Sequence, residues 1–279
     1  MKKKLTLVLI VVLMGLLLIN GTGCSKTETF VQKSWNRTGY GISGIIIEDI
    51  SAEVSLIPST DGQIHILYYE SEYSTYNVNI DANGVLSFIL NRAQGPDATR
   101  EPSGMRLNTV VAVPTDFDGD VALTTVDGNI LLDAISITGN LTAETVTGNI
   151  TVTDSKLEQG ASLSTTDGNV LFRQSVIAAG KLYLNTISGS ISSDSAMISG
   201  NIDAVTVSGD ILFVKTTAGD VSCVATTGNI NIAVFDRPQG YRVIAETTSG
   251  SIKAPNSDAG MYVISTKTVS GNTVVTLLS

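Results

Sequence analysis

Thr125-Val-Asp-Gly128-Asn-Ile is followed by Thr145-Val-Thr-Gly148-Asn-Ile and Thr165-Thr-Asp-Gly168-Asn-Val. The phrase returns as Thr186-Ile-Ser-Gly189-Ser-Ile, Thr206-Val-Ser-Gly209-Asp-Ile and Ala225-Thr-Thr-Gly228-Asn-Ile. It closes as Thr247-Thr-Ser-Gly250-Ser-Ile and Thr268-Val-Ser-Gly271-Asn-Thr. Successive glycines stand 20, 20, 21, 20, 19, 22 and 21 residues apart. A fixed period of this size is the mark of stacked repeats, each too small to bury its own apolar face. A weaker copy lies 8 to 10 residues before each of the first seven strong glycines, at Gly119, Gly139, Gly160, Gly180, Gly200, Gly219 and Gly240. One coil of about 20 residues therefore has two corners joined by two extended runs.

Within those runs apolar residues alternate, as at Ile130/Leu132, Leu141/Ala143, Ile150/Val152 and Ile202/Ala204. Alternation rich in Val, Ile and Thr is the strand signal, and no window of helical period competes with it. Glycine supplies corner conformations closed to other residues, and Asn, Asp or Ser beside it supports the turn. Repetition sets like above like. Thr125, Thr145, Thr165, Thr186, Thr206, Thr247 and Thr268 form one expected ladder, broken at Ala225. Asn129, Asn149, Asn169 and Asn229 lead a second, shared with Ser190, Asp210, Ser251 and Asn272. The expectation is an all-β, single-stack β-solenoid over residues 115–279.

Upstream, residues 35–114 lack the period but are rich in strand signals, with turns at Asp61-Gly62 and Asn83-Gly84. They are expected to cap the first coil, because an open solenoid end invites edge-to-edge association, and to be continuous with the solenoid as one domain. Asn91–Ser103, with Gly95-Pro96 and Pro102, reads as a loop. At the other end, Met261–Ser279 runs to the terminus with no obvious cap.

The first residues address the compartment. Lys2, Lys3 and Lys4 precede an uncharged run from Leu5 to Ile19, and Thr22-Gly23 leads into Cys24. A basic start, a short apolar run and a small-residue exit describe an export signal over residues 1–23. The run is shorter than the roughly 20 residues that span a bilayer. Thr22, Gly23 and Cys24 resemble the lipobox of bacterial lipoproteins, although Gly21 stands where Leu is usual. That likeness implies lipidation of Cys24, a polar tether over 24–34, and an extracytoplasmic protein partnered with the membrane through its lipid. Cys223 is then the one remaining cysteine, so an internal disulfide is not available.

Without residues 1–23 the chain carries 14 Lys+Arg against 26 Asp+Glu, a net charge of −12. That balance argues against nucleic acid as a partner. The single histidine, His65, lies between Ile64 and Ile66 in a strand and lacks the converging partners that acid–base catalysis needs. Asp116, Asp118, Asp120, Asp127 and Asp167 are acids at or near corners, yet they form no continuous column and the calcium-binding nonapeptide is missing. They read as solvated turn residues, and no metal or cofactor is assigned. Trp35, Tyr40, Tyr68, Tyr69, Tyr73 and Tyr76 concentrate in the cap region. They serve either to pack the cap or to meet a sugar or protein.

Residues 44–271, with the Val113-Pro114 step and the repeated Gly-Asn-Ile phrases, resemble a bacterial family of unknown function labelled "putative adhesin". The resemblance implies a β-solenoid surface protein and no defined activity. Three functions are open at this point. The first is a non-catalytic surface lipoprotein that binds a protein or glycan at the cell envelope. An envelope-stress sensor acting through membrane partners is the second, and a carbohydrate-active β-helix enzyme is the third.

Overall fold

The computed structural model describes residues 28–93 and 107–279, which form 27 strands and no helix. The segment expected to be an export signal, Cys24 and most of the expected Asn91–Ser103 loop lie outside the described residues. Three sheets run along one rod. The first has 11 strands and contains Leu141–Thr147 and its counterparts, and the second has 12 and contains Ile150–Thr153 and its counterparts. The third has four two-residue strands: Ser136–Ile137, Lys156–Leu157, Val176–Ile177 and Met197–Ile198. One strand of the first sheet (Ser74–Ile80) and two of the second (Val31–Thr38 and Gln63–Glu70) are antiparallel edges. Setting them aside leaves ten parallel coils, about 45 Å of rod at the usual strand spacing.

Register is maintained coil by coil. Thr145 pairs with both Thr125 and Thr165, and Ile150 with both Ile130 and Val170. Inward side chains consequently form columns, such as Ile45, Val121, Leu141, Ala161, Leu182, Ile202 and Val221, each nearly or fully buried. In another column Ser193 sits between Phe172 and Phe213, a small residue between two rings. Its hydroxyl is kept satisfied by Thr216 Oγ1 at 3.1 Å. Close packing of this kind is the main source of the rod's stability, since no disulfide contributes.

The strong glycines are needed chiefly because adjacent coils approach so closely. A Cβ on Gly148 would lie 2.0 Å from the Gly128 carbonyl oxygen, and one on Gly168 1.9 Å from that of Gly148. Positive φ adds to this at Gly189, Gly209, Gly228, Gly250 and Gly271, where it runs from 149° to 155°.

Four expectations need correction. A coil has three corners, the third lying between the second and third sheets. It is made without glycine by Ala134, Asp154, Gln174, Ser195 and Lys215, at φ of 49° to 54°. Left-handed non-glycine residues cost about 1–2 kcal/mol each. Here the backbone amides of Ala134, Asp154, Gln174 and Ser195 donate to carbonyls of the next coil, which holds the conformation. Buried Ser155 and Ser175 follow the bend, and each hydroxyl donates back to a carbonyl 2.7 Å away.

The second correction concerns residues 35–114, which are more than a cap. Gly44–Glu48 and Glu53–Ser59 form a complete coil, paired in parallel with Asp120–Thr125 and Ile130–Asp133. Val85–Arg92 and Asn108–Pro114 form another outside it. The boundary at 114/115 thus falls inside a continuous stack, its period hidden by the inserted strands Gln63–Glu70 and Ser74–Ile80. Third, the strand Val31–Thr38 begins inside the segment read as a tether, because its backbone pairs along Gln63–Glu70.

The last correction concerns coil order at the far end. Tyr262–Ser270 and Thr273–Leu278 lie against Val221–Thr227 and Ile230–Phe235, while Tyr241–Ser249 and Ile252–Lys253 pack outside them. The glycine ladder therefore runs Gly228, Gly271, Gly250. Chain order is inverted at both ends: the first coil and the last each sit one layer in, and a coil from nearer the middle of the chain covers each.

Candidate functional site

The ladders expected from sequence are assembled at the strong-glycine corner. Buried Thr145, Thr165, Thr186 and Thr206 donate their hydroxyls to Gly128, Gly148, Gly168 and Gly189 carbonyls at 2.9–3.0 Å. Thr268 and Thr247 do the same to Gly228 and Gly271. Ala225 has no hydroxyl to offer Gly209. Outside this ladder runs the amide ladder. The Asn149 amide N–H donates to Asn129 Oδ1 at 2.9 Å, Asn169 to Asn149 at 2.8 Å, and Asn229 to Asp210 at 2.7 Å. Gly128, Gly148, Gly168, Gly189, Gly209, Gly228, Gly250 and Gly271, with these amides, thus form a continuous hydrogen-bonded corner.

The phrase also exposes a stripe that the sequence reading passed over. Its second residue points outward, and Val126, Val146, Ile187, Val207 and Val269 are each 46–50% exposed. Threonines fill the same place at Thr166, Thr226 and Thr248. The signal was present in the repeated Thr-Val-x-Gly, but alternation alone assigns such a residue to solvent without saying that its neighbours share its character.

Candidate chemical groups are dispersed. Asp127 Oδ1 accepts the Thr147 hydroxyl at 2.7 Å, and Asp167 lies beyond Thr147, two coils from Asp127. Asp116 and Asp118 accept the hydroxyls of Ser136 and Thr138, and Asp120 accepts the Asn140 amide at 2.7 Å. Each of these five acids belongs to the coil-to-coil surface, and four of them are bonded across it. Among the described residues no group of three or more His, Cys, Asp or Glu side chains is placed to hold a metal ion.

His65 Nε2 lies 2.9 Å from Asp61 Oδ2, both exposed at a turn. This contact, with the Gln63 amide and the Ser59 hydroxyl, holds the Asp61 carboxyl down at about 2. The pair closes the turn between Glu53–Ser59 and Gln63–Glu70, two strands that both pair with Asn108–Pro114 and not with each other. Cys223 is fully buried between strands, and burial pushes its thiol well above the ordinary range.

The aromatic concentration divides. Tyr68, Tyr76 and Phe88 stack on one another with centroids 4.4–5.1 Å apart, and Trp35 packs against the core. The Tyr76 hydroxyl donates to Asp49, which also accepts the Thr109 hydroxyl at 3.0 Å and three backbone amides. Burial, then the Asp49 charge, raises the tyrosine far above its usual value. The cavity beside this cluster admits about one water molecule. Tyr40, by contrast, is 91% exposed.

Residues 42–277, which carry the parallel coils, glycine corners and amide ladders, match the sequence profile of one family, described as Toastrack DUF4097. This chain belongs to the Toastrack family. Among solved structures, a Parabacteroides distasonis protein described as a putative adhesin superposes with a TM-score of 0.56 at 12% identity, covering 88% of this chain and 97% of that one. A second putative adhesin, from Parabacteroides merdae, gives a TM-score of 0.44 at 15% identity, covering 89% of this chain and 96% of that one. A putative cell adhesion protein from Clostridium sporogenes gives 0.29 at 10% identity, covering 90% and 100%. At these identities only the Parabacteroides distasonis likeness bears on the Toastrack fold, and none bears on activity. No curated protein matches the chain.

Proposed function

We propose that this Toastrack protein is a non-catalytic, surface-displayed interaction rod of the adhesin kind, held to the outer side of a bacterial membrane by lipid on Cys24. The observation that carries this reading is the outward stripe Val126, Val146, Ile187, Val207 and Val269. It runs along the rod in one column, with Thr166 and Thr226 in the layers between, and is flanked by hydrogen-bonded polar columns. A regular, shallow surface suits an extended protein or glycan partner, whereas catalysis calls for groups that converge. The fold likeness to a protein described as a putative adhesin agrees with the same reading.

Two measurements test it. Cys24→Ala should move the protein from the membrane fraction to the soluble fraction, and unchanged retention would remove the lipid anchor from the proposal. Intact cells displaying the full chain should be screened against glycan and matrix-protein panels, with Val146→Glu/Val207→Glu as the control. Binding lost in that variant supports an adhesin. Binding equal in both would exclude the stripe, and crosslinking in cells only to membrane proteins would favour a sensor.

A further inference from the structure

We propose that the C-terminal end of the rod is bistable, with residues 241–253 and 262–278 exchanging places as the layer packed on residues 221–235. The two coils are equivalent in register. Tyr241 stands beside Tyr262, Val243 beside Ile264, Thr247 beside Thr268 and Ser249 beside Ser270. Their corner phrases, Thr247 to Gly250 and Thr268 to Gly271, carry the same hydroxyl and glycine, and each threonine donates to the glycine carbonyl beneath it. Either coil therefore presents the chemistry that Gly228 and Asn229 require of a neighbour.

Burial divides between the two orders: the inserted coil seals Ile264 and Val275, 0% and 4% exposed, together with two threonines, and leaves Ile252 outside. Thr266 and Thr273 are buried in the inserted coil, and among the described residues neither hydroxyl has a hydrogen-bond partner. Ile252, in the outer coil, is 48% exposed. In the sequential order Ile252 would lie on Ile230 and extend the column of Ile130, Ile150, Ile191 and Ile211. Thr273 would move to the outermost layer, where its hydroxyl reaches water. Backbone pairing acts in the opposite direction. Thr273–Leu278 matches all of Ile230–Phe235, whereas the outer strand spans only Ile252–Lys253 before Pro255, which has no N–H to give. One order thus gains ladder and keeps Ile264 and Val275 buried, and the other buries Ile252 and solvates the Thr273 hydroxyl.

The connections permit the exchange. Moving one layer is a shift of about 5 Å, within the reach of residues 236–240 and 254–260. Tyr241 already reaches past the inserted coil and donates its hydroxyl to the Ala218 carbonyl at 2.6 Å. The exchange replaces an end face of Val243, Ala245 and Ile252 by one of Ile264, Thr266 and Thr273, so a partner at this end meets two surfaces.

Disulfide trapping in the full chain tests the proposal. Thr227 is the register neighbour of Ser270, and Ser249 lies one layer further out. T227C/S270C reports the inserted order. T227C/S249C reports the sequential order, because two layers, about 10 Å, exceed what a disulfide spans. After equilibration in a thiol buffer, the bonds are located by fragmentation of linked peptides. The expected result is a 227–249 bond in a measurable fraction of molecules, reduced at least threefold by I252T and by T273V. A 227–270 bond with no 227–249 bond overturns the proposal. A 227–249 bond indifferent to both substitutions also overturns it, since that would reflect fraying.

Discussion

The hydroxyl of Thr145 lies 2.9 Å from the carbonyl oxygen of Gly128, one coil behind it. The residue that permits the coils to approach and the residue that satisfies the exposed carbonyl belong to the same six-residue phrase. The spacing of 17 between them is one period less the three steps from threonine to glycine within a phrase.

Gly148→Ala and Gly168→Ala should each destabilise the rod by about 3 kcal/mol or more, because the new Cβ would stand 2.0 or 1.9 Å from a backbone oxygen that cannot move alone. Gly62→Ala, with open space around it but φ of +72°, should cost only about 1 kcal/mol. Hydrogen exchange of the flanking strands measures both, and equal protection in all three variants would refute the stacking argument.

Ala225→Thr should stabilise the protein by about 1 kcal/mol. The site is buried between Thr206 and Thr268 in register, and a hydroxyl there completes the bond to Gly209 that its neighbours make to their own glycines. Chemical denaturation followed by strand circular dichroism reads the gain. A loss would mean that this layer is packed too tightly for the extra atoms.

Asp61 should titrate near 2, and His65→Ala should return it toward the ordinary carboxylate value of about 3.9. A depressed carboxylate stabilises the fold at pH above the unfolded-state value, and that contribution disappears as pH falls through about 2. The turn at Gly62 should accordingly loosen in acid, beginning below about pH 4. Carboxyl-carbon NMR follows the titration directly, and an Asp61 that titrates normally in the native protein contradicts the geometry.

Cys223 should resist alkylation at pH 8 in the native protein and react fully after unfolding, because its thiol is both buried and held protonated. Peptide mass mapping separates it from Cys24. Rapid native labelling would show that the core column opens at this layer.

Thr-x-x-Gly-Asn disclosed the strong-glycine corner, the threonine and amide ladders and the coil length, because each residue there does one job and repeats it. The third corner was not legible. Ala134, Asp154, Gln174, Ser195 and Lys215 share a backbone conformation but no side-chain chemistry, and what holds the first four is the pairing of their amides with the next coil. The coil at residues 44–59 escaped notice for a related reason: its corner is Ile50-Ser51-Ala52, with Asp49 binding the turn amides where glycine would otherwise stand. The inverted coil order at the ends also left no trace, since equivalent phrases stack equally well in either order. The corner acids were expected to be solvated turn residues, but Asp116, Asp118, Asp120 and Asp127 accept hydrogen bonds from the next coil, a role visible, like the outward valines, only when successive coils are superimposed.

A load applied through the N-terminus meets the rod in two stages. Val31–Thr38 is exposed along nearly its whole length and is held by pairing with one neighbour, so it can peel away bond by bond at little expense to the core. Gly44–Glu48 comes next, and it is clamped between Val85–Arg92 on one side and Asp120–Thr125 on the other. Traction must then shear two ladders at once instead of unzipping an outermost layer. Pulled from that end, the rod yields slightly and then resists.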